Sequence, residues 1–159
     1  MNKLILAAAV ALLASACAIV RTPPVTPAGP DFLVRNGAAK NVVTTPSGLQ
    51  YFIVKSGPET GRSPTGSDTV RFDYEGKLTT GQTFDSSFAR GEPLTGAVDG
   101  FVPGFTEALK LMRPGDDWVV WIPPALGYGD RESGPIPANS TLRFRMVLHG
   151  VTPAPATGS

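Results

Sequence analysis

From Val70 to Leu78 the chain alternates. Val70, Phe72, Tyr74 and Leu78 fall on one side, and Arg71, Asp73, Glu75 and Lys77 on the other. Only a β-strand sends successive side chains to opposite faces, so a strict period of two demands a half-buried strand with one apolar face. Leu142, Phe144, Met146 and Leu148 repeat the pattern, with Arg143 and Arg145 facing outward, and Trp118, Val120 and Ile122 repeat it again. Leu49–Val54, stopped by Ser56-Gly57-Pro58, reads as a further strand, and Gln82-Thr83-Phe84 follows a turn at Thr79-Thr80-Gly81. Phe105, Ala108, Leu109 and Met112 have helical spacing, and Arg113-Pro114-Gly115 ends that short helix. A second short helix is expected over Asp31–Lys40, while residues 57–68, 86–104 and 123–141 read as loops. The predicted class is α+β: a twisted antiparallel sheet of about five strands wrapped on one short helix.

Such a domain leaves few routes to chemistry. One cysteine excludes an internal disulfide and every multi-cysteine metal site, and one histidine, His149, excludes a His-His ligand pair. His149 sits at a strand end and reads as structural or solvated. No phosphate-cradling glycine loop is present. The formal net charge of +1 gives no electrostatic case for nucleic acid, and Arg143 and Arg145 read as a solvated strand face. No metal and no cofactor is expected.

The single cysteine has a telling position. Residues 1–16 carry Lys3 and then an unbroken apolar run, Leu4–Leu13, too short to span a bilayer but right for the core of a signal peptide. Leu13-Ala14-Ser15-Ala16-Cys17 resembles a bacterial lipobox, although leucine is commoner than alanine at position 14. The resemblance implies that Cys17 receives a lipid and becomes the mature N-terminus. A sole thiol at this place fits that role, since a spare cysteine is a liability in an oxidising compartment. Ordinary secretion and an uncleaved anchor are the other readings. Ala18, rather than aspartate, points to the outer membrane facing the periplasm in a Gram-negative cell. Residues 17–47 are then the lipidated cysteine, a proline-rich tether and a short N-terminal segment, with Pro23, Pro24, Pro27 and Pro30 as stiffeners. Residues 152–159 read as a disordered tail.

Eighteen glycines and sixteen prolines make about a fifth of the 159 residues, against roughly an eighth in average proteins. Many flank apolar side chains in the predicted loops: Phe84 before Asp85-Ser86-Ser87, Phe101-Val102 before Pro103-Gly104-Phe105, Tyr128 within Leu126-Gly127-Tyr128-Gly129, and Ile136 between Pro135 and Pro137. These side chains either cap the open end of the sheet or wall an apolar pocket. In this order and spacing, with Ile136–Phe144 closing the set, they resemble the FK506-binding-protein family of peptidyl-prolyl cis-trans isomerases across residues 48–151. The opening Thr45–Tyr51 is similar to exported bacterial members.

That resemblance implies the family fold and a prolyl pocket. Tyr74, Phe84 and Phe144 would be walls, Phe101 and Val102 a stretch whose backbone meets the ligand, Phe105 the floor, and Ile136 an upper wall. Asp85 would be the polar residue at the edge, with Arg90 as its partner. Tyr128 would offer its hydroxyl to a substrate carbonyl, and Tyr74, Asp85, Tyr128 and Phe144 would be the catalytic set. Leu94 stands where another aromatic wall is common, and Phe105 stands where tryptophan is usual. Both departures imply weaker binding of FK506- or rapamycin-type macrocycles. The implied partners are proline-containing unfolded or flexible polypeptides and, through Cys17, a membrane. Some exported members carry a long helical dimerisation arm, for which about thirty mature residues are too few, so a monomer is expected. A proline-peptide binding module or holdase without catalysis, and a purely structural lipoprotein, are the competing readings. Radiolabelled palmitate is expected to enter the wild-type chain in cells and to be absent from Cys17→Ser; equal labelling of the two would overturn the lipid reading.

Overall fold

The protein, seen in a computed structural model, is described over residues 30–155. The expected signal peptide, Cys17 and the proline-rich tether lie outside the described residues, as do residues 156–159 of the expected tail. The elements are α1 (Pro30–Gly37), β1 (Val43–Thr44), β2 (Gln50–Lys55), β3 (Thr69–Leu78), β4 (Thr83–Ser86), α2 (Ser87–Arg90), β5 (Leu94–Ala97), α3 (Pro103–Leu111), β6 (Asp117–Ile122) and β7 (Leu142–Thr152). All strand pairs are antiparallel, in the order β1-β2-β6-β7-β3-β4 with β5 also on β3.

The alternating segments form the centre. β3 lies along β7 from Thr69↔Thr152 to Leu78↔Leu142, with one shift that leaves His149 without an opposite residue. Val70, Phe72, Tyr74 and Leu78 of β3 are buried on one face with Leu142, Phe144, Met146 and Leu148 of β7. Across them lies α3, which begins with Pro103 at its first turn and buries Gly104, Phe105, Ala108 and Leu109. Proline suits that position because its missing N–H would have no helical partner. A Cβ at Gly104 would lie 2.5 Å from Ile122 Cγ2, so only glycine lets the helix come this close to β6.

Among the described residues seven strands replace the predicted five, α1 corresponds to the short helix expected over Asp31–Lys40, and α2 is an addition. The missed strands are short: two residues in β1 and four in β5, too few to show a period. Segment 86–104, expected to be irregular, holds α2, β5 and a 3-10 turn at Val98–Gly100. The N-terminal boundary also moves. Residues 30–47 belong to the domain: Gln50 Nε2 donates to Leu33 O and Asn36 Nδ2 donates to Gln50 Oε1, both at 2.8 Å. Thr45 Oγ1 and Ser47 Oγ donate to the two carboxylate oxygens of Glu107 on α3 at 2.8 and 2.7 Å. At the other end, Thr152 completes β7 and Ala154 N–H donates to buried Asp68 at 3.1 Å, so residues 152–154 of the expected disordered tail are held to the domain. Asp68 also takes Arg62 and the Thr65 backbone, which hold its carboxyl far below the usual range.

The outer edge of β3 is shared. β5 covers Thr69–Phe72 and β4 covers Glu75–Lys77, which leaves Asp73 and Tyr74 without a strand partner on this edge. A side chain fills the gap: Tyr74 N–H donates to Ser87 Oγ at 2.9 Å, and Ser87 donates to Asp73 Oδ1 at 2.6 Å. The other Asp73 oxygen meets His149 Nε2 at 2.8 Å, which gives the lone histidine a structural partner. A buried donor without an acceptor costs about 1–3 kcal/mol. Ser87→Ala, at a fully buried position, is therefore expected to lose about that much stability in urea unfolding.

Candidate prolyl-binding site

A cavity of about 460 Å³ opens where β3, β4, β5, β7 and the start of α3 converge. Ten residues expected at one site, Tyr74, Phe84, Asp85, Leu94, Phe101, Val102, Phe105, Tyr128, Ile136 and Phe144, all line it. Arg90, expected beside Asp85, stands at its edge. Gly100, Ser133, Gly134 and Pro135 line it too and were not anticipated. They sit beside predicted residues, but breakers in a loop carry no pattern that says which way they face.

The bottom is aromatic. Phe105 is buried at the N-terminal end of α3, with its ring centroid 5.1 Å from both Phe101 and Phe144 and 5.4 Å from Phe72. It meets Phe144 edge-on at 87°. Phe84 and Phe144 meet edge to face at 5.5 Å beside Gly76. A Cβ on Gly76 would sit 2.5 Å from Phe84 and 2.8 Å from Phe144, so a bare backbone there is what lets both rings lie against β3. Edge-to-face packing suits the ring quadrupoles and fixes the wall geometry. The phenyl floor leaves no indole N–H at the bottom, so the base of the cavity is purely apolar.

Polar groups stand only at the rim. The Tyr74 hydroxyl donates to Asp85 and accepts from Arg90 Nη2 at 3.0 Å, while Arg90 Nη1 pairs with the other Asp85 oxygen. The Arg90 guanidinium also lies 5.6 Å from the Tyr74 ring centroid. Burial, helped by the Asp85 carboxylate, pushes the Tyr74 phenol up and keeps it a donor. Burial alone would push the Asp85 carboxyl up, but hydrogen bonds from Tyr74 and Arg90 and the arginine charge outweigh it and hold it below the usual range. Tyr128 differs. It is 39% exposed, and its hydroxyl makes no hydrogen bond among the described residues. The loop that presents it, within the segment 123–141 read as a loop, is braced by Asn139 N–H to Gly129 O at 2.7 Å and by a tight Ser133–Ile136 bridge with Gly134 at φ +53°. The cavity thus offers an apolar box and, at its mouth, the Tyr128 phenol, which together with the Ser133 hydroxyl is left without a hydrogen bond among the described residues. Among the described residues no three His, Cys, Asp or Glu side chains gather to hold a metal ion.

A carboxylate whose pKa is depressed by folding contributes stability that is complete above its unfolded value and lost as pH falls through its folded value. The Asp85 carboxyl carbon, followed by NMR, is therefore expected to titrate below the ordinary value of about 3.9, and Arg90→Gln is expected to move the midpoint upward.

Residues 60–149 match the family of FKBP-type peptidyl-prolyl cis-trans isomerases. The chain is 45% identical over 127 residues to outer membrane protein MIP of Legionella longbeachae, covering 79% of this chain and 54% of that one. It is 42% identical over 127 residues to the FKBP-type peptidyl-prolyl cis-trans isomerase FkpA of Escherichia coli, covering 80% of this chain and 46% of the relative. The chain thus spans about half the length of these curated relatives. The crystal structure of Escherichia coli FkpA superposes with a TM-score of 0.74 at 42% identity, over 79% of this chain and 58% of that one. A peptidyl-prolyl cis-trans isomerase from Pseudomonas syringae superposes with a TM-score of 0.71 at 28% identity, over 77% and 90%. With its ordered motifs, its shared-edge sheet and these matches, the chain belongs to the FKBP-type peptidyl-prolyl cis-trans isomerase family.

Proposed function

We propose that the protein accelerates rotation about X-Pro peptide bonds in exported polypeptides, without a covalent intermediate. The observation that carries this is the aromatic box with the uncommitted phenol of Tyr128 at its mouth. The bond to be turned has a barrier of about 18–20 kcal/mol, because resonance gives its C–N bond double-bond character. Uncatalysed exchange takes tens to hundreds of seconds. Turnover at about 10–10³ per second needs roughly 4–7 kcal/mol of transition-state stabilisation.

Nothing in this chemistry requires a nucleophile. The planar amide is polar through resonance, and the twisted amide has lost that charge separation. An apolar box around the prolyl ring favours the twisted form, and Tyr128 holds the preceding carbonyl while the bond turns. These contacts count only because they favour the twisted form over the planar one. Tyr74, tied at its hydroxyl by Asp85 and Arg90, keeps the wall from moving with the substrate. The same walls would take FK506-type macrocycles, less tightly where Phe105 and Leu94 offer less surface.

The reading extends to location. The short apolar leader and Cys17 support an exported, lipid-anchored chain in the outer membrane facing the periplasm, and one relative carries the name outer membrane protein. In a protease-coupled assay with an X-Pro tetrapeptide, the wild type is expected to raise the isomerisation rate above background. Tyr128→Phe is expected to lower kcat/KM by about two- to tenfold, as for one lost hydrogen bond. No acceleration by folded wild-type protein would overturn the proposal.

A further inference from the structure

The face of the sheet turned away from the cavity carries a second arrangement of side chains. Gln50, Trp121, Arg143 and Lys77 are direct cross-strand neighbours in one row over β2, β6, β7 and β3. Lys77 and Arg143 therefore stand opposite one another, and like charges so placed repel. The adjacent row avoids this: Arg145 stands opposite Glu75 and holds Asp117 through two hydrogen bonds at 3.1 and 2.7 Å. In the first row Lys77 reaches along its own strand to Glu75 at 2.8 Å, and Arg143 has no carboxylate partner among the described residues. The two cations border a groove of about 380 Å³ shared with Trp121 and with Phe32 and Asn36 of α1.

We propose that this groove takes the phosphate of an anionic phospholipid headgroup, so that the domain rests on a lipid surface through α1 and this face. Charge complementarity is one argument: the groove offers two adjacent cations, one of them unneutralised, beside an indole and a phenyl ring suited to the glycerol and first methylenes. The route of the chain is the second. Cys17 precedes α1 by thirteen residues, which reach at most about 45 Å, and α1 borders the groove. An exposed Val34, 72% accessible, and the exposed Arg35 lie on the same helix. Successive residues of a strand face opposite sides, so Phe144 lines the prolyl cavity while Arg143 lines the groove. A domain resting on lipid in this way presents its cavity to the aqueous side.

The test uses the full chain with Cys17→Ser, so that no attached acyl chain contributes, and sedimentation with vesicles of phosphatidylcholine alone or with 30 mol% phosphatidylglycerol. The apolar leader is common to all variants and cancels in the ratio of the two partition coefficients. That ratio is expected to fall on the order of tenfold in Lys77→Gln/Arg143→Gln and to be kept in Arg143→Lys. Equal ratios in parent and double variant would overturn the proposal. So would displacement from the vesicles by millimolar inorganic phosphate, which would make the groove a free-phosphate site. Tetrapeptide isomerisation measured in parallel reports that the double variant is folded. It also separates the two readings, since a parent that is inactive but binds anionic vesicles sinks the isomerase proposal alone.

Discussion

Ten residues of β3 run antiparallel to β7, and a slip of β3 by one position would carry Tyr74 to the opposite face of the sheet, away from Phe144. That register is held by burial: Val70 and Phe72 are fully enclosed against Leu142, Met146 and Leu148, and the slip would turn both away from them. The placement of everything else follows from this ladder. One face receives α3 and becomes the floor and walls of a cavity. The other keeps its charges and receives α1.

Around that ladder the cavity is fixed from both ends of one residue. The Tyr74 backbone is tied through Ser87 to Asp73 and His149, and its hydroxyl is tied to Asp85 and Arg90. A side chain held at both ends loses little entropy when a ligand arrives. Tyr128 is the counterpart, with its backbone loop braced and its hydroxyl uncommitted. The contrast assigns one tyrosine to shape and the other to recognition.

The long strands were legible because their faces differ in polarity over enough residues to show a period. Val43–Thr44 and Leu94–Ala97 were not, since two or four residues are too few to show a period, and the partner strand alone makes them strands. The lining of the cavity was legible through ordered motifs and family resemblance; alternation by itself would have named Tyr74 and Phe144 as core and nothing more. The sequence carries no sign of the role of Ser87, for a physical reason. Its importance comes from a gap between β4 and β5, and a gap exists only once both strands are placed. Residues 30–47 read from the sequence as the end of a tether and a short N-terminal segment outside the domain, because the bonds that hold them, to Gln50 and Glu107, join residues far apart in sequence.

Those same bonds bear on mechanics. Glu107 sits two residues beyond Phe105 on α3 and grips Thr45 and Ser47, upstream of β2. A pull from the N-terminal side loads α1 first and then the two-residue ladder of β1. Beyond that point the load divides between the Glu107 clasp and the longer β2–β6 seam. The earliest elements to peel under tension are thus α1 and β1, which lie outside the cavity, and the Glu107 clasp is the first point at which such a load reaches the helix that carries the cavity floor.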